Sequence, residues 1–328
     1  MNSMRFEPVR IGVVGMGSFG RLHAQTLAGL AESHLVGVVA RRQASLDEVA
    51  DHLPGVPGWL DLEQAIAESD AEAWVVASST ASHVPLTKII LAAGKPVLLE
   101  KPMAESLSDA QSLAALVHDD SSNLMLGHIL LFNSEFCQLM DEAGHRSAIS
   151  YIDCVRHRSA VHLDLFPGEH PFHLTMVHDL YCALALMGRA EPVEFSAQTH
   201  RTASGACDLA LAQLIWNTGT VGSFAASFLT PDGMGLEAFD RMEVFGSGWA
   251  ARINANPRPF ELWDDRARQP MTLEIRADPT SPSGMLAEQL RCFCRVVRGI
   301  DSVPMGAAYQ DAMQVERWVD RLTSCADG

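Results

Sequence analysis

Two stretches of this 328-residue chain carry side chains able to move a proton. The first is Glu100-Lys101-Pro102, a lysine set between the end of an apolar run and a proline. An amine there can polarise a ligand oxygen or take part in proton transfer, with burial and neighbouring charge tuning its basicity. The chain has only three lysines, Lys88, Lys95 and Lys101, and otherwise uses arginine for positive charge. A site that needs a titratable amine therefore fits this position, against the alternative of an exposed turn lysine. The second stretch holds His157, Arg158, His162, Asp164, Glu169, His170, His173, His178 and Asp179. Such a density of imidazoles and carboxylates suits a polar substrate pocket. His170 and His173 would lie one helical turn apart, as in some metal sites, but HExxH-type spacing is missing and no metal is expected. Arg156 and Arg158, near the end of a strand-like run, are candidates for an anionic substrate group or simply exposed strand-end arginines.

The elements that must position these groups begin with Ile11-Gly-Val-Val-Gly15-Met-Gly17-Ser18-Phe19-Gly20, an apolar run leading into GxGxxG and then helical spacing. The pattern is strand, tight turn, helix. Gly15 permits the turn, Gly17 lets a pyrophosphate approach the backbone, Gly20 lets helix and strand pack closely, and the helix N-terminus favours phosphate. Residues 15, 17, 18, 19 and 20 are therefore expected to bind a dinucleotide. A second strand ends at Ala40-Arg41-Arg42, where an NAD site would place an acid some ~20 residues past the glycines. That acid is absent, and Arg41 and Arg42 suit a 2′-phosphate, so NADP is preferred over NAD. Further strands are expected over 73–77, 96–100 and 123–128, alternating with helices. Ser79 and His83 fall at a strand's carboxyl end, where ligands bind in such sheets, though His83 is equally placed to cap the helix that follows.

The texture changes after His128. Strand-like runs over 149–156, 193–199, 209–216, 220–228 and 241–246 are joined by Gly-, Asn- and Pro-rich turns, with one helix over 173–187 and helical spacing over 285–297 and 308–322. The expectation is an α/β Rossmann domain with a doubly wound parallel sheet, residues 1–128, and an α+β domain with a large, mostly antiparallel open sheet, residues 129–328.

Composition narrows the partners. A net charge of −16 argues against nucleic acid and anionic membranes, and 48% hydrophobic residues argue against disorder. Seven scattered cysteines without CxxC pairs read as reduced thiols. No run of signal-peptide or membrane-spanning length is seen, so a cytoplasmic protein is expected. Trp216, Trp249 and Trp263 read as packing residues.

Gly15–Gly20, the stretch Gly94-Lys-Pro-Val-Leu-Leu-Glu100-Lys101-Pro102-Met-Ala104 and Leu126-Gly-His-Ile-Leu-Leu-Phe-Asn133 together resemble the Gfo/Idh/MocA oxidoreductases, and the likeness extends to Asp208–Gly222 and Met242–Gly248. The resemblance implies a homodimer or homotetramer built through the second domain's sheet, an active site between the domains, and hydride transfer between NADP or NAD and a secondary alcohol or ketone of a sugar, cyclitol or related polyol. It implies Lys101 and His178 as the catalytic pair and Glu100 and Lys101 near the cofactor. The family's helix reads Asp-x-Gly-x-His-x-x-Asp; here those positions hold Leu174, Met176, His178 and Tyr181. His173 and Asp179 are the candidates for the lost carboxylate. The departure leaves two other readings: a redox-neutral lyase or hydrolase that uses bound cofactor, and a non-catalytic cofactor-binding regulator.

Overall fold

Branched and apolar side chains run almost unbroken through Val9–Val14, Ala73–Val76, Val97–Leu99 and Leu124–Leu126, and all but Arg10 and Gly12 are large or apolar. Only a strand covered on both faces buries such a run, which points to a parallel sheet. The computed structural model describes residues 7–146, 148–231, 234, 239–256, 262–263, 267–268 and 275–327. The chain divides into two units, Met1–Phe132 with Ile275–Met313, and Asn133–Glu274 with Gln314–Gly328.

The first unit alternates β1 (Val9–Val14), α1 (Ser18–Gly29), β2 (Ser33–Val39), α2 (Gln43–His52), β3 (Gly58–Trp59), α3 (Leu62–Glu68), β4 (Ala73–Val76), α4 (Thr80–Ala92), β5 (Val97–Leu99), α5 (Leu107–Gln111) and β6 (Leu124–Leu126). The sheet order is β3-β2-β1-β4-β5-β6, all parallel. This is the doubly wound order in which ligands bind beyond the carboxyl ends of the strands. Val39, Val14, Val76, Leu99 and Leu126 form one register row. Backbone bonds from Gly15, Ala77, Glu100 and Gly127 to the preceding row carry the ladder one residue further, at 2.7–2.9 Å. Two-residue β3 escaped the sequence reading because it is too short to show a period.

The second unit contains α6 (Ser134–Gly144), β7 (Ile149–Ser159), α7 (His162–Leu165), a π turn at Phe172–Met176, α8 (Val177–Leu186), β8 (Pro192–Arg201), β9 (Cys207–Trp216), β10 (Val221–Thr230), β11 (Phe239–Gly246) and β12 (Trp249–Asn256). Its sheet runs β12-β11-β7-β10-β9-β8. Every pair is antiparallel except β7 with β10, so the sheet is mixed. The edge strand β12, Trp-Ala-Ala-Arg-Ile-Asn-Ala-Asn, was not expected, since Ala and Asn are poor strand formers. Trp216 is a core residue at 1% exposure, its indole donating to the Ala190 carbonyl at 3.0 Å. Trp263's side chain lies outside the described residues. Among the described residues, no helix is long and apolar enough to cross a membrane.

The units differ from the sequence reading in two places: residues 129–132 close the first unit, and a later segment returns to it. Residues 275–313 belong to the first unit, not with the rest of 129–328. The cause is the helix Met285–Val297, whose buried face (Leu286, Leu290, Phe293, Cys294) is apolar at helical spacing and packs on α1. Arg298, just beyond it, grips Glu72 with two bonds of 2.8 and 2.9 Å and donates to the carbonyls of Glu7 and Pro8. Further on, Tyr309 is buried and donates to the Ala110 carbonyl at 3.0 Å.

The Arg298 hydrogen bonds hold the Glu72 carboxyl at about 2, down from 4.5, against the opposing effect of burial. Because the folded-state value is depressed, this contribution is fully present above about pH 4.5 and is lost as pH falls towards 2. Glu72→Gln should lower the melting temperature at neutral pH and flatten the acid limb of the stability curve over that window. Thermal unfolding followed by circular dichroism at stepped pH checks it; parallel limbs for the two proteins would refute the assignment.

Candidate active site

In the first unit the sequence-predicted loop is built as its glycines require. Gly15 has φ +96°, and a Cβ there would meet the Ala77 carbonyl and Ser78 Cα at 2.6 Å. A Cβ on Gly20 would collide with the Gly15 carbonyl at 1.7 Å. Gly17 is different: its Cβ would meet nothing within 4 Å, so that side of the turn is open. Helix α1 starts directly after it with no side-chain cap and no acidic residue in its first turn. Backbone N–H groups that have no helical partner, next to an open glycine, form a cradle for an anion.

The cradle opens on a groove of about 840 Å³. Gly15, Gly17, Ser18, Phe19, Arg41, Arg42 and Ser79 all line it, as the sequence led one to expect. Arg41 and Arg42 are both exposed there. Missed by sequence reasoning were Ser45, Asp61 and Glu63, which line the same groove. Asp61 caps α3 by accepting from the Gln64 amide at 2.8 Å. Its N-cap position before Leu62 was a readable signal for a helix start, but nothing marked it as facing the groove of another strand. The residues present thus fit a dinucleotide, with Gly17 and the α1 N-terminus for the pyrophosphate.

Gly20, His83, Glu100 and Lys101, also expected at the cofactor, are not among the residues lining this groove, and His83 and Glu100 are buried beneath the loops. His83 is 1% exposed, with Nδ1 2.7 Å from the Pro102 carbonyl and Nε2 3.1 Å from the Ser78 carbonyl. Burial pushes its pKa down, so the ring is neutral at neutral pH and has a single N–H, which we assign to the shorter contact. It ties the loop after β4 to the loop after β5. Glu100 is also buried; its Oε1 lies 2.8 Å from His23 Nε2 and its Oε2 accepts from the Lys101 amide at 3.2 Å. A Cβ on Gly127 would sit 2.8 Å from the Glu100 carboxyl, so that glycine makes room for it. Lys101 follows, half-buried, with a cis peptide to Pro102. His23, three residues after Gly20 on the inward side of α1, was not anticipated. Nearby, His128 is buried against the Gly306 carbonyl, and burial lowers its pKa to about 4.

The second unit disperses the polar segment. Residues alternate across β7, and register pairs Arg156 with Ala226 and Asp240 on one face and His157 with Ser227 and Phe239 on the other. His157 Nδ1 contacts Ser227 Oγ at 2.8 Å, and His162 stacks on Phe228. His173 is partly buried, and burial lowers its pKa. Among the described residues, no three His, Cys, Asp or Glu side chains are grouped to hold a metal ion.

Arg156 and Asp179 belong to one buried ion cluster rather than to a substrate surface. Arg156 grips both Asp179 oxygens at 2.7 and 3.1 Å and bonds Asp240 at 2.5 Å, while Arg158 bonds Asp240 at 2.5 and 3.0 Å. Arg156 is 4% exposed and Asp179 2%. Burial works against the charge on Arg156, but Asp179 and Asp240 outweigh it and hold the guanidinium protonated far above its usual range. An arginine so enclosed has no face for an external anion, and a carboxylate so engaged does not stand in for the family's missing aspartate at His178. His178, half-buried on α8, has Nδ1 2.7 Å from the Tyr181 hydroxyl instead. The helix expected from residue 173 begins as the Phe172–Met176 π turn, so ideal α spacing does not carry across it. Asp240 had no sequence signal; it joins Arg156 only through the β7–β11 register.

Removing one member leaves an unbalanced buried charge, at a cost of about 3–5 kcal/mol. Asp240→Asn should therefore destabilise the protein by about that much in urea unfolding, whereas an effect under ~1 kcal/mol would show that the cluster is not held in the folded state.

Comparison with known proteins matches residues 9–128 to the oxidoreductase family with an NAD-binding Rossmann fold, and residues 123–251 to the GFO/IDH/MocA C-terminal domain. UDP-N-acetylglucosamine 3-dehydrogenase of Acidithiobacillus ferrooxidans is 30% identical over 241 residues, 72% of this chain and 71% of that protein. Inositol 2-dehydrogenase of Rhizobium meliloti is 27% identical over 273 residues, 77% of this chain and 78% of that protein. The fold is shared with scyllo-inositol dehydrogenase of Lactobacillus casei, solved with NAD(H) and scyllo-inositol, at TM-score 0.83 and 17% identity over 98% of this chain and 97% of that one. The uncapped glycine cradle, the Glu100-Lys101-Pro102 turn beside it and these matches lead to one conclusion: the chain belongs to the Gfo/Idh/MocA family of oxidoreductases.

Proposed function

We propose that this chain is an NAD(P)-dependent oxidoreductase acting on a secondary alcohol or ketone of a sugar, cyclitol or related polyol. The observation that carries the reading lies within the first unit. The open cradle at Gly17 and the Lys101 turn follow strands whose ends share one register row, so an anion-binding loop and an amine stand on one edge of one sheet. A nicotinamide dinucleotide supplies hydride chemistry when bound. Gly17 and the first turn of α1 hold its pyrophosphate. Arg41 and Arg42 take a 2′-phosphate, which makes NADP the preferred form. Lys101 is the group proposed to bind and polarise the reacting oxygen, and the family's helix motif is what supports a role in proton transfer for His178. The two curated relatives named above act, by their names, on a sugar nucleotide and on inositol, which supports a cyclic polyhydroxylated substrate.

Nicotinamide absorbance across a panel of sugars, cyclitols and their ketones, with NADP and NAD, tests this. Lys101→Ala should lower kcat by about 10²–10⁴ while dinucleotide Kd stays within about twofold. Equal losses of turnover and cofactor affinity would sink the role given to Lys101. Arg41→Ala should weaken NADP about tenfold and leave NAD nearly unchanged. Substrate cleavage without net cofactor turnover would favour the redox-neutral reading, and tight cofactor binding with no turnover the regulator.

The proposal includes self-association through the outward face of the second unit's sheet. Leu211 and Phe245 share that face by register and are 40% and 38% exposed. Light scattering should give the mass of two or four chains; a monomer at micromolar concentration would overturn this part.

A further inference from the structure

Beneath the Lys101 turn the first unit buries a polar pair that takes no part in the cradle itself. His23 is 0% exposed and Glu100 7%, and His23 Nε2 lies 2.8 Å from Glu100 Oε1. The two come from different elements: His23 from α1, whose N-terminus forms the cradle, and Glu100 from the residue after β5. We infer that His23 is a positioning residue for Lys101. It holds the Glu100 carboxyl, and that carboxyl holds the Lys101 amide, so the helix that carries the cradle also sets where the amine stands.

Donors and acceptors fit together one way round. The Glu100 amide is fixed by the Val76 carbonyl at 2.9 Å, and Glu100 Oε2 accepts from the Lys101 amide at 3.2 Å. An ionised carboxylate only accepts, so the proton in the 2.8 Å contact belongs to His23 Nε2. A proton on Nδ1 instead would bury an N–H that has no acceptor among the described residues. The carboxyl is also confined from its other side, since a Cβ on Gly127 would lie 2.8 Å from it. Held by His23 and walled by Gly127, it has one place to be, and its bond to the Lys101 amide fixes the peptide from which the lysine departs. Phe19 extends the line to the groove: it is a lining residue there, and its ring meets His23 edge-on at 5.3 Å and 76°. The catalytic consequence rests on the role proposed for Lys101, because a reacting group displaced by about 1 Å loses about 10²-fold in rate.

The chain's three lysines make a direct test possible. Labelled with ¹⁵N-lysine, the full-length chain shows the backbone amides of Lys88, Lys95 and Lys101, and the signal lost in Lys101→Arg identifies the last. In His23→Leu the Lys101 amide should exchange with solvent about tenfold faster, while Lys88 and Lys95 keep their rates. His23→Gln, which restores an N–H donor at similar reach, should bring the Lys101 rate back to within about twofold. Gly127→Ala pushes on the same carboxyl in a chain that keeps His23 and should reproduce the leucine result; it carries the test if His23→Leu does not fold. An unchanged Lys101 rate in either variant, equal acceleration at all three lysines, or no recovery in His23→Gln overturns the proposal. Turnover gives a second arm. His23→Leu should lower kcat about ten- to a hundredfold with dinucleotide Kd within about threefold, but cost less than about twofold in a Lys101→Ala background. Equal losses of kcat and affinity, or equal losses in both backgrounds, would mean a packing role and overturn it. If no substrate turns over in the wild type, the oxidoreductase reading fails while amide exchange still decides what His23 holds.

Discussion

The parallel ladders from Val14 to Val76 and from Val76 to Leu99 set the layout of the first unit. Because these strands run in the same direction and in register, their carboxyl ends line up. The chain must then turn at three adjacent points: the glycine loop, the Ser78–His83 loop and the Lys101 loop. Each turn is braced from below by a buried group. Gly20 meets the Gly15 carbonyl, His83 bridges the second and third loops, and the Glu100–His23 pair underlies the third. An antiparallel arrangement of the same strands would put alternate turns at opposite ends and scatter these groups.

The second unit solves a different problem. It must bury charge in a sheet-and-helix interface, and it does so with two arginines and two aspartates arranged to neutralise one another, Asp179–Arg156–Asp240–Arg158. Desolvation of such groups is expensive, and the return depends on every partner being present. The cluster draws its members from β7, α8 and β11, so it specifies how that helix lies against that sheet. Surface ion pairs elsewhere, such as Arg146 with Glu142, are half exposed and contribute little by comparison. The net charge of −16 likewise bears on solubility and partners, not on how this interface is built.

Membership of an oxidoreductase family and departure from its helix signature meet at His178. The histidine is retained, the residues four before and three after it are Leu174 and Tyr181, and the carboxylate beside it is engaged elsewhere. What surrounds an imidazole sets its basicity and its tautomer, so Leu174 and Tyr181 give His178 a different setting from the family's helix even though the imidazole stays.

Legibility in the sequence followed the range of the interaction. The glycine loop, the strand–helix alternation of the first unit, the helix Met285–Val297 and the Glu100-Lys101-Pro102 turn were readable, because each is encoded within a few consecutive residues by backbone freedom or hydrophobic period. So was the family, whose motifs are of that same local kind. The destination of long polar side chains was not. Arg156 looks like a binding residue until the β7–β11 register brings Asp240 to it, and Asp179 looks like a spare carboxylate until Arg156 claims it. His83 and Glu100 were read at the right loops but on the wrong side of them, and residues 275–313 joined the first unit because an apolar helix face and Arg298 found their partners there. By itself the sequence determined most of the elements, though not β3, β12 or the π turn before α8, together with the turn chemistry and the glycine cradle. Tertiary structure alone decided which charges meet, since a buried ion needs a partner that can come from anywhere in the chain and carries no local mark of the pairing.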